Sequence, residues 1–108
     1  MFKIVAVIKK KPELSREEFL HHWNVEHPLY VRKLPGIRRY LQNPAIEHKK
    51  QWLYDGVAEL YFDSVKDIAI AYAGVEAEEL FEHERKFLEV MEWFIAEEIE
   101  VDLTNTGK

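Results

Sequence analysis

Residues Phe2 to Lys9 alternate with a two-residue period, yet both sides of the alternation are apolar. Phe2, Ile4, Ala6 and Ile8 lie on one side, and Val5 and Val7 on the other. Successive side chains of a strand point to opposite faces, so a strand of this kind must be covered twice. A sheet with one face left to water does not satisfy it. The fold has to bring packing to each side of this segment.

The rest of the chain supplies the covering elements. Lys11-Pro12-Glu13-Leu14 is a connection, and Ser15 with Glu18 forms the capping-box pattern that opens a helix. Phe19, Trp23 and His27 recur at i, i+4 and i+8 and share its apolar face. Pro28 cannot continue the hydrogen-bond ladder, so the helix ends or restarts at His27. Any further turn over Leu29 to Leu34 stops at Pro35-Gly36. Ile37 to Gln42 reads as a second strand, ended by Asn43-Pro44. Asp55-Gly56 marks a turn before a third, Val57 to Phe62. Ser64 starts a second helix with Val65, Ile68, Ala69 and Tyr72 on one face, interrupted at Gly74. Composition extends the helix over Glu76 to Met91, with Leu80, Phe87 and Met91 as a stripe, and Trp93 to Val101 alternates as a fourth strand. Residues 104–108 read as a frayed tail.

The order β-α-β-β-α-β is the split-βαβ arrangement, an α+β ferredoxin-like subunit over residues 1–103. Two crossovers put both helices on one face of a four-stranded antiparallel sheet. The other face is then bare, and the composition of the first strand would leave Val or Ile side chains on it. Contiguous apolar surface of that size is rare on monomers, and a second copy related by two-fold symmetry covers it most simply. A homodimer through the sheet faces is expected.

At 108 residues with no cysteine, the chain is one domain without disulfides, thiolate metal centres or cysteine nucleophiles. The run Ile68 to Val75 is far too short to span a membrane. Met1 leads into an apolar stretch that ends in Lys9-Lys10-Lys11, the reverse of a signal peptide, so a cytoplasmic location is expected. The net charge of −5 hides a gradient: residues 1–53 carry 11 Lys or Arg against 5 acidic residues, and residues 76–102 carry 11 acidic against 2 basic. The basic charges are scattered rather than clustered, so mutual attraction of the halves is expected and nucleic-acid binding is not.

His27 is the leading candidate for chemistry. It combines a helix end, an apolar face and a following proline. The helix C-terminus favours the imidazolium and burial opposes it, a balance suited to a general acid or base. A core histidine bonded to a carbonyl fits the same spacing. Tyr30, Tyr40, Tyr61 and Tyr72 could orient a carbonyl oxygen or fill the core with their tips at its edge. Glu59, in mid-strand, needs a partner or water: Arg38 or Arg39 on the neighbouring strand could pair with it, and a structural ion pair or an exposed position fits the same pattern. Glu18, His22 and Glu26 have one-face helical spacing, but a solvated face explains them, and no metal site is expected. Four glycines without a phosphate loop or dinucleotide fingerprint suggest no bound cofactor.

Taken together, Ser15-Arg16-Glu17-Glu18-Phe19, Trp23-Asn24-Val25-Glu26-His27-Pro28-Leu29, Leu34-Pro35-Gly36-Ile37, Asp55 to Ser64 and Glu84-Arg85-Lys86-Phe87 resemble the EthD family of dimeric α+β barrels. The resemblance implies a ferredoxin-like subunit, a sheet-to-sheet dimer and a pocket between helices and sheet. It implies that His27 occupies the family's helix-end histidine position, while Tyr61 stands where relatives often carry tryptophan. It implies an oxidoreductase-associated protein or a cofactor-independent enzyme of the isomerase, lyase or monooxygenase kind, acting on a small hydrophobic carbonyl or aromatic compound. On this reading His27, Tyr40 and Tyr61 carry the chemistry, and Phe19, Trp23, Tyr30 and Glu59 bind the substrate. A non-catalytic carrier for an oxidoreductase partner uses the same pocket. Haem ligation by His27 is disfavoured by the family pattern.

Overall fold

The computed structural model describes residues 1–104. Its elements are β1 (Phe2–Lys10), α1 (Arg16–Leu20), a π-helical segment (His21–Glu26), α2 (His27–Val31), β2 (Arg39–Pro44), β3 (Gly56–Phe62), α3 (Val65–Ala71), α4 (Val75–Glu84) and β4 (Leu88–Glu97). The strands form one antiparallel sheet in the order β2-β3-β1-β4, the ferredoxin-like topology. β1 is therefore an interior strand, hydrogen-bonded on both edges.

Strand alternation divides the sheet. Ile4, Ala6 and Ile8 of β1, with Ala58, Leu60 and Phe62 of β3, are buried in one cluster with Phe19, Trp23, Ile68, Leu80 and Phe87 from the helical side. Lys3, Val5, Val7 and Lys9 point the other way and stay half-buried. Helix α1 starts as its sequence requires, with reciprocal hydrogen bonds between Ser15 and Glu18.

Pro28 restarts the helix rather than ending it. The His27 N–H reaches back five residues to the His22 carbonyl, so the segment widens into a π-helix. Pro28 brings no N–H, and the Trp23 carbonyl instead accepts from Gln42 Nε2 at 2.6 Å. That bond ties the widened turn to β2.

Three expectations need correction. The helix expected to run to Met91 ends at Glu84, and β4 begins at Leu88, not Trp93. Leu88 to Met91 pair with Ile8 to Lys10 of β1, so the demand of the interior strand for an edge partner overrides local helix propensity. β2 runs over Arg39–Pro44, including the expected breaker. It is an edge strand, where Pro44 at the strand end owes the ladder no N–H. Glu59 pairs with Lys3 at 2.7 Å, while Arg38 pairs with Asp63 at 2.8 Å.

The basic and acidic halves do meet, through Lys3–Glu98, Lys9–Glu89 and Lys33–Glu79. Among the described residues no helix is long and apolar enough to cross a membrane. Of the expected tail, only Thr104 falls within the described residues.

Candidate functional site

A cavity of about 320 Å³ lies between the helices and the inner face of the sheet. Its walls are apolar, built from Ile4, Ala6, Leu60, Trp23, Leu80 and Phe87 among others. Half-exposed Val65, Trp93 and Ile95 also line it, so it opens between α3 and the edge strand β4. The ionisable groups on its wall are His27, Glu84, Tyr40 and Tyr72.

His27 is buried at the start of α2 and belongs to a chain of four groups. Glu26 Oε1 lies 3.1 Å from His83 Nε2, His83 Nδ1 lies 2.8 Å from His27 Nδ1, and His27 Nε2 lies 3.4 Å from Glu84 Oε2. The directions follow from donor counting. An ionised Glu26 accepts, so His83 carries its hydrogen on Nε2 and offers Nδ1 as an acceptor. His27 must then donate from Nδ1, which leaves Nε2 aimed at Glu84 and the cavity. At 3.4 Å, a proton taken up at Nε2 can be shared with the Glu84 carboxylate.

The electrostatics agree with this assignment. Hydrogen bonds from His83 and His22 hold the Glu26 carboxyl at about 2, against burial. Burial pushes the His83 imidazole below its ordinary value, with the Glu26 hydrogen bond opposing, so the ring is neutral. Tyr30 stacks on His83 at 4.5 Å between centroids, and Phe87 meets His27 edge-on at 5.4 Å. These rings hold the two imidazoles in place.

Tyr40 accepts a hydrogen bond from Gln42 Nε2 at 2.8 Å, so its own O–H remains free to donate. Burial is the largest effect on its phenol, which is pushed up to about 12 with hydrogen bonds from Gln42 and Trp23 opposing. The Tyr72 phenol is likewise raised, by burial and then by Glu84 and Tyr40. Both remain protonated donors at neutral pH.

Of the residues expected from sequence, His27, Trp23 and Tyr40 come together at the cavity. Phe19 lies behind Trp23, stacked on it at 5.4 Å, and Tyr30 lies behind His83. Glu59 and Tyr61 do not join them. Their neighbours Ala58 and Leu60 face the helices, so strand alternation turns Glu59 and Tyr61 to the opposite face. There Lys3 bonds to both, and Tyr61 also bonds to Glu98. Sequence reasoning missed His83 and Glu84 as site residues, reading the Glu76 to Met91 helix only through its stripe of Leu80, Phe87 and Met91. Their signal was the apolar stripe Ala77, Leu80, Phe87, whose face one turn beyond Leu80 takes in His83 and Glu84.

The chain resembles several solved structures. An ethyl tert-butyl ether D family protein from Bacillus halodurans C-125 superposes with a TM-score of 0.79 at 23% identity, covering 92% of this chain and 99% of that one. A dimeric ferredoxin-like protein of unknown function from Bacteroides fragilis gives 0.68 at 16% identity, covering 89% and 94%. SnoaB, a cofactor-independent oxygenase from Streptomyces nogalater, gives 0.68 at 14% identity, covering 93% and 94%. At these identities the likeness is one of fold. No curated protein matches the chain. The EthD domain matches residues 11–90, from the turn after β1 through the start of β4, and with that span the chain belongs to the EthD family.

Proposed function

We propose that this protein is a proton-transfer enzyme for a small hydrophobic carbonyl compound, cyclic or aromatic. The observation that carries the reading is the His27–Glu84 pair set into the wall of an otherwise apolar cavity. The volume of about 320 Å³ is at the lower end of ligand pockets, which favours a compact substrate. His27 Nε2, assisted by Glu84, takes a proton from the carbon next to the carbonyl. Tyr40 donates its O–H to the developing enolate oxygen, and its raised phenol keeps that hydrogen in place. Returning the proton to a different carbon gives an isomerase, and expelling a leaving group gives a lyase. Reaction of the electron-rich enolate with dioxygen gives an oxygenase, and the fold likeness to a cofactor-independent oxygenase agrees with that branch.

The test is deuterium exchange. Metal-free protein is incubated in D2O with small aryl ketones, and loss of the α-proton signal is followed by NMR. Wild type is expected to accelerate exchange, and His27→Ala to lose that acceleration by about a hundredfold or more while still binding the ketone. Equal exchange by the two proteins would reject His27 as the acid/base. Binding without exchange in wild type would leave a carrier in place of an enzyme.

A homodimer completes the proposal. The sheet face turned away from the helices carries half-buried Val5, Val7, Leu41 and Val57 and exposed Phe94, an apolar centre that a second copy would cover. Val7→Asp, placed opposite Val57 in the register, is expected to convert the dimer to monomer by light scattering. A dimer unchanged by that charge would place the interface elsewhere.

A further inference from the structure

Outside the cavity, three imidazoles converge on one carboxylate. Glu26 Oε1 lies 2.8 Å from His22 Nδ1 and 3.1 Å from His83 Nε2, and Glu26 Oε2 lies 3.3 Å from His21 Nε2. One ligand atom from each of His22, Glu26 and His83 falls within 4.8 Å of the others. We infer that His22, Glu26 and His83 form a binding site for a divalent first-row transition ion such as zinc, cobalt or nickel. This inference does not depend on the proposed reaction.

The donor set is right for such an ion. Imidazole nitrogen and carboxylate oxygen suit zinc, nickel and iron, and three protein ligands leave positions for water. The helical spacing of His22 and Glu26 presents two ligands on one face, and α4 supplies the third across the helix pair. The sequence pattern offered Glu18 as the third member, and tertiary structure replaces it with His83. His83 is buried, whereas the side chains of His22 and Glu26 retain 27% and 38% exposure, so an ion can enter from solvent. Phe87 stacks on His22 at 5.8 Å and holds that ring in place. His83 also has the outer-shell hydrogen bond that metal-bound histidines ordinarily make, here to His27 at 2.8 Å.

The test is calorimetric titration of chelator-stripped protein with zinc and cobalt salts, with the cobalt absorption spectrum as a second reading of coordination. Wild type is expected to take up one ion per chain. His22→Ala, a change at a partly exposed position, should weaken uptake by at least about tenfold, the lower end of what outer-shell changes cost. His48→Ala, at an exposed histidine away from the cluster, should bind as wild type does. Absence of saturable uptake, or equal affinity in His22→Ala and His48→Ala, overturns the site.

Discussion

Trp23→Ala is expected to cost about 3–5 kcal/mol of unfolding free energy, a large part of the roughly 5–15 kcal/mol that holds a domain of this size together. The indole is 2% exposed, stacks on Phe19 at 5.4 Å and forms part of the cavity wall. Its removal deletes the contacts of a large buried ring and leaves a void that the sheet cannot collapse to fill. Urea unfolding followed by circular dichroism measures the loss. A cost below about 1.5 kcal/mol, the range of a volume-conserving exchange, would mean that neighbouring side chains close the gap and that Trp23 is not a structural wall.

Gly56→Ala is expected to cost about 1–3 kcal/mol through overpacking against the same indole. A Cβ at Gly56 would lie 2.6 Å from Trp23 Cη2, 2.7 Å from Cζ3 and 3.0 Å from the Asn43 carbonyl oxygen. Those atoms belong to a rigid buried ring and to paired backbone, neither of which yields easily. The glycine is required here for space, at the first residue of β3. Trp23→Phe removes the offending part of the ring, so the double variant should lose less stability than the two single variants together. Strict additivity in that cycle would show that the clash is relieved by a backbone shift elsewhere.

Much of the fold was legible because its periodicities are local. The capping box at Ser15, the breaker before Ile37 and the turn at Asp55-Gly56 each mark a boundary within a few residues of the observed one. The start of β4 was not legible. Leu88 to Met91 have the composition of either a helix or a strand, and only the open edge of β1 decides between them. The site was half legible for a related reason. Phe19, Trp23 and His27 announce one helix face, and Pro28 announces the break that exposes His27 to a cavity. Tyr40 was named without a means of choosing it over Tyr61. A period of two says that Glu59 and Tyr61 share a face, but not whether that face meets helices or the opposite surface. His83 and Glu84 lay hidden in an acidic run, because their partners Glu26 and His27 are far away in sequence, His83 and His27 being 56 residues apart.

By itself, the sequence determined the order of strands and helices, the apolar character of both faces of β1 and the histidine at the helix break. Those properties reside in spacings of a few residues, where side-chain direction follows from backbone geometry. Only the tertiary structure decided which sheet face receives the helices, where β4 begins, and that Glu26, His83, His27 and Glu84 form one chain. Each of these depends on how distant segments cross, and a local pattern carries no record of the partner that will lie against it.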